Sequence, residues 1–153
     1  MAQPLRQTEL TLPDVTGIDT WEDTSILAAL LAGQRRAIAA VEHAAPQIAR
    51  AATAMARRLS DGGRLIYAGA GTSIRIGVQD GSELPETFGL DAARLSYLIA
   101  GGREAMFTTA GADEDDEGAG QRDAEICQPG DVMIAIAASG STHYTLAAAG
   151  AAA

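Results

Sequence analysis

Three runs of nearly continuous apolar residues, at 65–68 (LIYA), 95–100 (LSYLIA) and 132–138 (VMIAIAA), limit the chain more than any other feature. Each has the length of a β-strand. None alternates strictly between apolar and polar, so both faces of each strand must be covered, as in a parallel sheet. The segments between them are long enough for the crossover that parallel pairing requires. The expected fold is therefore α/β, with a parallel sheet flanked by helices.

Upstream of the first run the pattern changes. Residues 1–23 are rich in Pro, Thr and Asp without clear periodicity, and read as an extended N-terminal arm. Helical signals fill 24–60. Thr24 and Ser25 are good N-caps ahead of Ile26, Leu27, Leu30 and Leu31. Gly33 is expected to end that helix. A second helix, at 34–44, carries Ile38 and Val41 at core spacing. Pro46 opens a third, bearing Ile48, Ala52, Met55 and Leu59, until the Ser-Asp-Gly-Gly run at 60–63 stops it. The expected organisation is an arm (1–23), a helical segment packing on the domain (24–60) and a ligand-binding α/β portion (61–153). A further helix starts within 141–153, and three strands make a small sheet, so other strands are expected from outside this chain.

Composition narrows the function classes. Acidic residues outnumber basic ones 20 to 11, for a formal charge of −9. Such a field repels nucleic acid and anionic membranes. Aromatic residues, at 4%, are too few for a base-stacking platform. A small anion must therefore be held by local dipoles and hydroxyls. The single cysteine, Cys127, cannot form an internal disulfide and fits a reducing compartment. The first residues lack a signal-peptide pattern, and no stretch is long and apolar enough to span a bilayer. A cytoplasmic protein with no nucleic-acid or membrane partner is expected.

The chemistry lies where strands end. Ligands of open α/β sheets sit beyond the carboxyl ends of strands, at helix N-termini. Gly69-Ala70-Gly71-Thr72-Ser73 follows the first run, and Ser139-Gly140-Ser141-Thr142-His143-Tyr144-Thr145 follows the third. In both, glycine admits a ligand close to the backbone, and hydroxyls join free N–H groups as donors. Neither loop continues to Gly-Lys-Ser/Thr, and the first does not complete GxGxxG, because position 74 is Ile. Hydroxyls without a lysine point to a sugar phosphate rather than a nucleoside triphosphate. The phosphate-binding candidates are Gly71, Thr72, Ser73, Ser139, Gly140, Ser141, Thr142 and Thr145. No His/Cys/Asp cluster has metal-ligand spacing, so no metal is expected.

These motifs carry a family resemblance. RLIYAGAGTSIRIGVQDGSELPETFG at 64–89, LIAGG at 98–102, GADEDDEG at 111–118 and DVMIAIAASGSTHYT at 131–145 resemble, in order, the sugar isomerase (SIS) domain of N-acetylmuramic acid 6-phosphate etherases. The resemblance implies a Rossmann-like SIS fold, usually dimeric, with no metal or organic cofactor. It also implies cleavage of the D-lactyl ether of N-acetylmuramic acid 6-phosphate to N-acetylglucosamine 6-phosphate and D-lactate, in cell-wall amino-sugar recycling. Glu83 falls at the family's first catalytic glutamate, within Asp80-Gly81-Ser82-Glu83-Leu84-Pro85-Glu86-Thr87, where the family usually reads Asp-Ala-Ser-Glu-Cys-Pro-Pro-Thr. Its implied role is general acid, which calls for a pKa raised by partial burial. The second carboxylate is Asp113 by ungapped alignment, or Glu114 after a one-residue slip. Ser141 and His143 stand where the family usually has Arg and Pro. Two alternatives stay open: a non-catalytic phosphosugar-binding regulatory protein of the same fold, and an aldose–ketose phosphosugar isomerase.

Overall fold

The computed structural model describes residues 10–108 and 111–153. The expected arm lies partly outside them, at 1–9; its remainder contains short 3-10 turns at Pro13–Val15 and Ile18–Thr20. Two compact units divide the chain, Met1–Ala54 and Met55–Ala153.

A parallel three-stranded sheet organises the second unit. Its strands are β1 (Leu65–Gly69), β2 (Leu95–Ile99) and β3 (Val132–Ile136), in the order β2-β1-β3. Gly69 is in register with Ile99 on one side and Ile136 on the other, so all three strands end at one edge. The helices of this unit are α2 (Gly71–Phe88), α3 (Glu117–Asp123) and α4 (His143–Ala151).

Central position explains the unbroken apolar run of β1, all five residues of which are buried. Leu65 and Tyr67 pack with Ile74, Ile99 and Val132, joined by Val78 and Leu84 of α2 and by Met55 and Leu59 upstream. Ile66 and Ala68 face the other way, onto Leu98, Ala124 and Ala148. Adjacent residues of one strand thus feed opposite layers, which alternation of side chains dictates. Truncating Ile66, which is fully buried, costs about 2–5 kcal/mol by the usual core penalty. Gly81 lets α2 approach the stacked Tyr67 and Tyr97 rings, since a methyl group there would stand 2.5 Å from Tyr97 Oη.

Polar clamps fix the opposite edge. The Arg64 guanidinium, just before β1, donates to Asp131, just before β3, through Nε (3.1 Å) and Nη2 (2.5 Å). Asp131 also accepts from the backbone N–H groups of Arg64 and Gln128. Hydrogen bonding to Arg64 holds the Asp131 carboxyl down to about 2. Arg94 Nη2 donates to the carbonyls of Leu59 and Gly63, closing the turn into β1.

The helical segment differs from expectation. One 38-residue helix, α1 (Asp23–Ser60), replaces three, and both Gly33 and Pro46 lie inside it. Glycine costs about 1 kcal/mol in a helix interior and proline about 3, but the surrounding alanines favour continuation. Pro46 leaves the Glu42 carbonyl without its usual donor and crowds it with its ring. Ile38 and Val41 are expected at core spacing, and Leu27, Leu30, Leu31 and Ile48 are apolar residues of the expected helices; all six are more than half exposed. Met55 and Leu59, near the helix end and within the second unit, pack against the sheet.

Candidate functional site

The neighbouring strands β1 and β3 lead into helices on opposite faces. β1 turns through Ala70 into α2, beside the Tyr67 layer; β3 turns through residues 137–142 into α4, beside the Ala68 layer. Two parallel strands diverging in this way open a crevice beyond their carboxyl ends, and the N-termini of α2 and α4 border it. The two hydroxyl-bearing junctions recognised in the sequence are therefore neighbours on one rim.

At the first junction Gly71 adopts φ +51°, a left-handed conformation, and opens α2. The first N–H groups of a helix have no partner within it, and the first turn of α2 carries no acidic residue to occupy them. Gly71 and Ser73 are half-buried and Thr72 is exposed. At the second junction Ser139 Oγ and Ser141 Oγ lie 2.6 Å apart. Gly140 there has φ +66° and is exposed, while Ser141 and Thr142 are half-buried. Thr142 precedes α4 without capping it. Thr145 is 3% exposed, and its hydroxyl has no hydrogen-bond partner among the described residues. Leaving such a group unsatisfied costs about 1–3 kcal/mol. Burial and a 2.5 Å hydrogen bond to Asp123 raise the Tyr144 phenol, locking that ring under the junction in its neutral form.

The two acidic candidates at 113 and 114 diverge. Both sit in a 3-10 turn, Gly111–Asp115, and both are half-buried. The Glu114 carboxylate lies over Gly71, where a methyl group would meet its Oε1 at 2.7 Å. Asp113 instead turns its carboxylate onto Gly101, after β2. Glu114 lines a small cleft with Gly71, Thr72, Ala100, Ala105, Thr108 and Gly111. Its volume is about 140 Å³, below the roughly 300–1,000 Å³ of small-molecule sites, so it takes only part of a ligand. His143 Nδ1 lies 3.2 Å from Asp115 Oδ1, which ties the start of α4 to the same turn.

Glu83 is not brought to this crevice by its own chain. It sits on α2 twelve residues beyond Gly71, about 18 Å along the helix at 1.5 Å per residue. It is exposed, so the partial burial expected of a general acid is missing within one chain. Helical phase accounts for this. Ile74, Gly77 and Gly81 take the buried face of α2, and Glu83 lies off it.

Two contributors escaped the sequence. Ala105, in the short 3-10 segment Arg103–Met106, and Thr108, just beyond it, wall the cleft, and neither carried a motif. Arg75 pins that wall, its Nη2 donating to the Ala105 carbonyl (3.3 Å) and the Thr108 carbonyl (2.8 Å). From the sequence, Arg75 reads as facing a phosphate or forming a surface ion pair; among the described residues its hydrogen bonds go to these two carbonyls.

Known proteins are similar to this sequence. A family model for the "Glucokinase regulatory protein N-terminal SIS domain" matches residues 47–151. An N-acetylmuramic acid 6-phosphate etherase of Deinococcus radiodurans is 47% identical over 146 residues, covering 94% of this chain and 48% of its own length. One from Symbiobacterium thermophilum is 51% identical over 110 residues, 71% of this chain and 37% of its own. N-acetylmuramic acid 6-phosphate etherase 2 of Vibrio cholerae is 43% identical over 138 residues, 89% and 45% respectively. The chain thus spans about half the length, or less, of these curated relatives. With most of its residues matched by the family model, and with the parallel sheet that the motifs predicted, the chain belongs to the SIS-domain family.

Proposed function

We propose that the chain forms the phosphosugar site of a carbon–oxygen lyase that cleaves the D-lactyl ether of N-acetylmuramic acid 6-phosphate. One observation carries the reading: two hydroxyl-bearing helix N-termini flank one crevice, and the Glu114 carboxylate stands over the glycine that opens it. The relatives' names, N-acetylmuramic acid 6-phosphate etherases, agree with it.

In this reading the amides opening α2 and α4 hold the phosphate, with Thr72, Ser73, Ser139, Ser141, Thr142 and Thr145 as hydroxyl partners. Helix N-termini suit such an anion even under a net charge of −9, because the dipole acts locally. Glu114 is the base: it takes the C2 proton of the ring-opened sugar as the C3–O bond breaks. A carboxylic acid protonates the departing lactate, and water then adds at C3 of the unsaturated aldehyde. We assign the acid to Glu83, delivered from a second copy, because its own crevice lies about 18 Å along the helix. A homodimer follows, and the cytoplasm is the compartment that one free cysteine and a phosphorylated substrate suit.

Incubation with N-acetylmuramic acid 6-phosphate should release D-lactate, read by a coupled lactate dehydrogenase. Glu83→Gln should abolish release yet keep hexosamine phosphate binding by calorimetry. An active Glu83→Gln protein refutes the acid assignment. The exposure of Glu83 favours one rival, a phosphosugar-binding regulatory protein, for which the parent chain would bind ligand and release no lactate at all.

A further inference from the structure

We propose that the exposed apolar stripe of α1 is the seam of an antiparallel, two-fold pairing with the α1 helix of a second copy of this chain. The inference rests on the homodimer proposed above and adds the surface and the direction of pairing.

The stripe has a specific period. Leu27, Leu31, Gln34, Ile38, Val41, Ala45, Ile48 and Ala52 follow one another at alternating intervals of four and three residues. That 3.5-residue repeat is the seam of a coiled coil, and it persists through the helix segment of the first unit. A helix that covers a globular core shows a broader stripe of period 3.6 instead. The large members of the seam, Leu27, Leu31, Ile38, Val41 and Ile48, are 52–59% exposed. A contiguous apolar stripe of this extent is uncommon on a monomer. Among the described residues of the arm, Leu12, Asp14 and Val15 share a cleft with Ala29, Ala32 and Arg36, off the seam.

The residues flanking the seam choose the occupant. Ala28, Ala37, Ala44, Ala49 and Ala51 allow another backbone to approach closely. Two charged residues interrupt these alanines, Arg35 and Glu42, both exposed and one heptad apart on the same edge. If two such helices run antiparallel with Ile38 facing the partner's Val41, Leu31 meets the partner's Ile48 and Leu27 meets the partner's Ala52. Arg35 then lies beside the partner's Glu42, and the reverse pair forms by symmetry. A surface whose charges complement themselves about a two-fold axis is suited to its own copy. A parallel, in-register pair would set Glu42 beside the partner's Ala37, and the charges would pair with nothing.

Size-exclusion chromatography with light scattering on the whole chain tests this. The parent should run at twice its chain mass. Ile38→Asp should run at the single-chain mass with unchanged helical circular dichroism, because the replaced side chain is exposed. Arg35→Glu and Glu42→Arg should each raise the dimer dissociation constant at least several-fold. The doubly exchanged Arg35→Glu/Glu42→Arg chain should recover the parent value. A dimeric Ile38→Asp chain overturns the seam and leaves the homodimer standing. A monomeric parent overturns both. Charge variants indistinguishable from the parent overturn the antiparallel order. Hexosamine phosphate binding, measured on the same samples, reports separately on the functional reading.

Discussion

The Glu114 carboxylate stands directly before Gly71, so close that a single methyl group on the glycine would come within 2.7 Å of Oε1. Residues forty-three positions apart in sequence thereby share one point in space: the first amides of α2 and the carboxylate of the 111–115 turn. Two constraints coincide at Gly71, its left-handed φ of +51° and the space that Glu114 takes. Gly71→Ala should therefore damage function beyond its effect on stability. The conformational cost, about 1–2 kcal/mol, corresponds to a fall in Tm of roughly 2–8 °C for a chain of this length. Displacing Glu114 by about 1 Å should reduce lactate release about 100-fold at temperatures where the protein stays folded. Steady-state kinetics beside a thermal melt separate the two effects. A variant with lowered Tm and unaltered turnover would show that the contact has no part in the chemistry.

Asp113 and Glu114 are separable by substitution. Glu114 faces the cleft, whereas Asp113 points to Gly101. Glu114→Gln should lower kcat by about 10²–10⁴, the usual worth of a positioned general base. Asp113→Asn should leave kcat within about tenfold of the parent, since it disturbs the turn without removing the proton acceptor. Equal losses in the two variants would end the assignment.

The contrast between those neighbours shows what the sequence carried. Strands were legible to within two residues, because unbroken apolar runs have one stable solution in a chain of this kind. The pairing of the two Gly/Ser/Thr junctions was legible too, since parallel strands all end at one edge. Side-chain direction was not: which carboxylate of GADED reaches the crevice depends on a 3-10 turn, and no periodicity encodes it. Glu83 stood ten residues past Ser73 in an unassigned polar segment. Only the continuous helix from Gly71 to Phe88, running through Pro85, reveals that this separation is axial. The helices at 24–60 failed for another reason. Gly33 and Pro46 are strong local punctuators, but alanine propensity and the repeat along the whole segment outweigh them.

If Glu83 serves the crevice of a second copy, defective chains should rescue one another. Glu83→Gln and Glu114→Gln chains should each be inactive alone. Mixed and allowed to exchange subunits, half the dimers are hybrids, each with one intact site, giving about a quarter of parental activity by symmetry. The readout is lactate release before and after mixing. A mixture as inactive as its components would place both carboxylates in one chain's site.

Thr145 offers a test in which stability and binding move in different directions. Its hydroxyl is buried without a partner among the described residues. Thr145→Val removes that unsatisfied group at nearly constant shape, so Tm should hold or rise. Hexosamine phosphate should nevertheless bind about tenfold more weakly, the worth of one hydrogen bond of about 1.4 kcal/mol. Calorimetry with glucosamine 6-phosphate measures the second effect. Unchanged affinity would remove Thr145 from the ligand shell.

Asp131 sets a pH signature at the opposite edge of the sheet. Hydrogen bonding to Arg64 holds its carboxyl down to about 2, below the ordinary aspartate value of about 3.9 in an unfolded chain. With the folded value depressed, the unfolded state binds the proton first on acidification. The stabilisation is then complete above about pH 4 and is lost as pH falls toward 2. Asp131→Asn abolishes this pairing at every pH. The variant should melt several degrees below the parent at neutral pH, with a gap that stays constant down to about pH 5 and closes toward pH 2. Melts by circular dichroism across that range measure the gap. A difference that persisted undiminished near pH 2 would mean that Asp131 stabilises β1 and β3 by packing, not by its charge on Arg64.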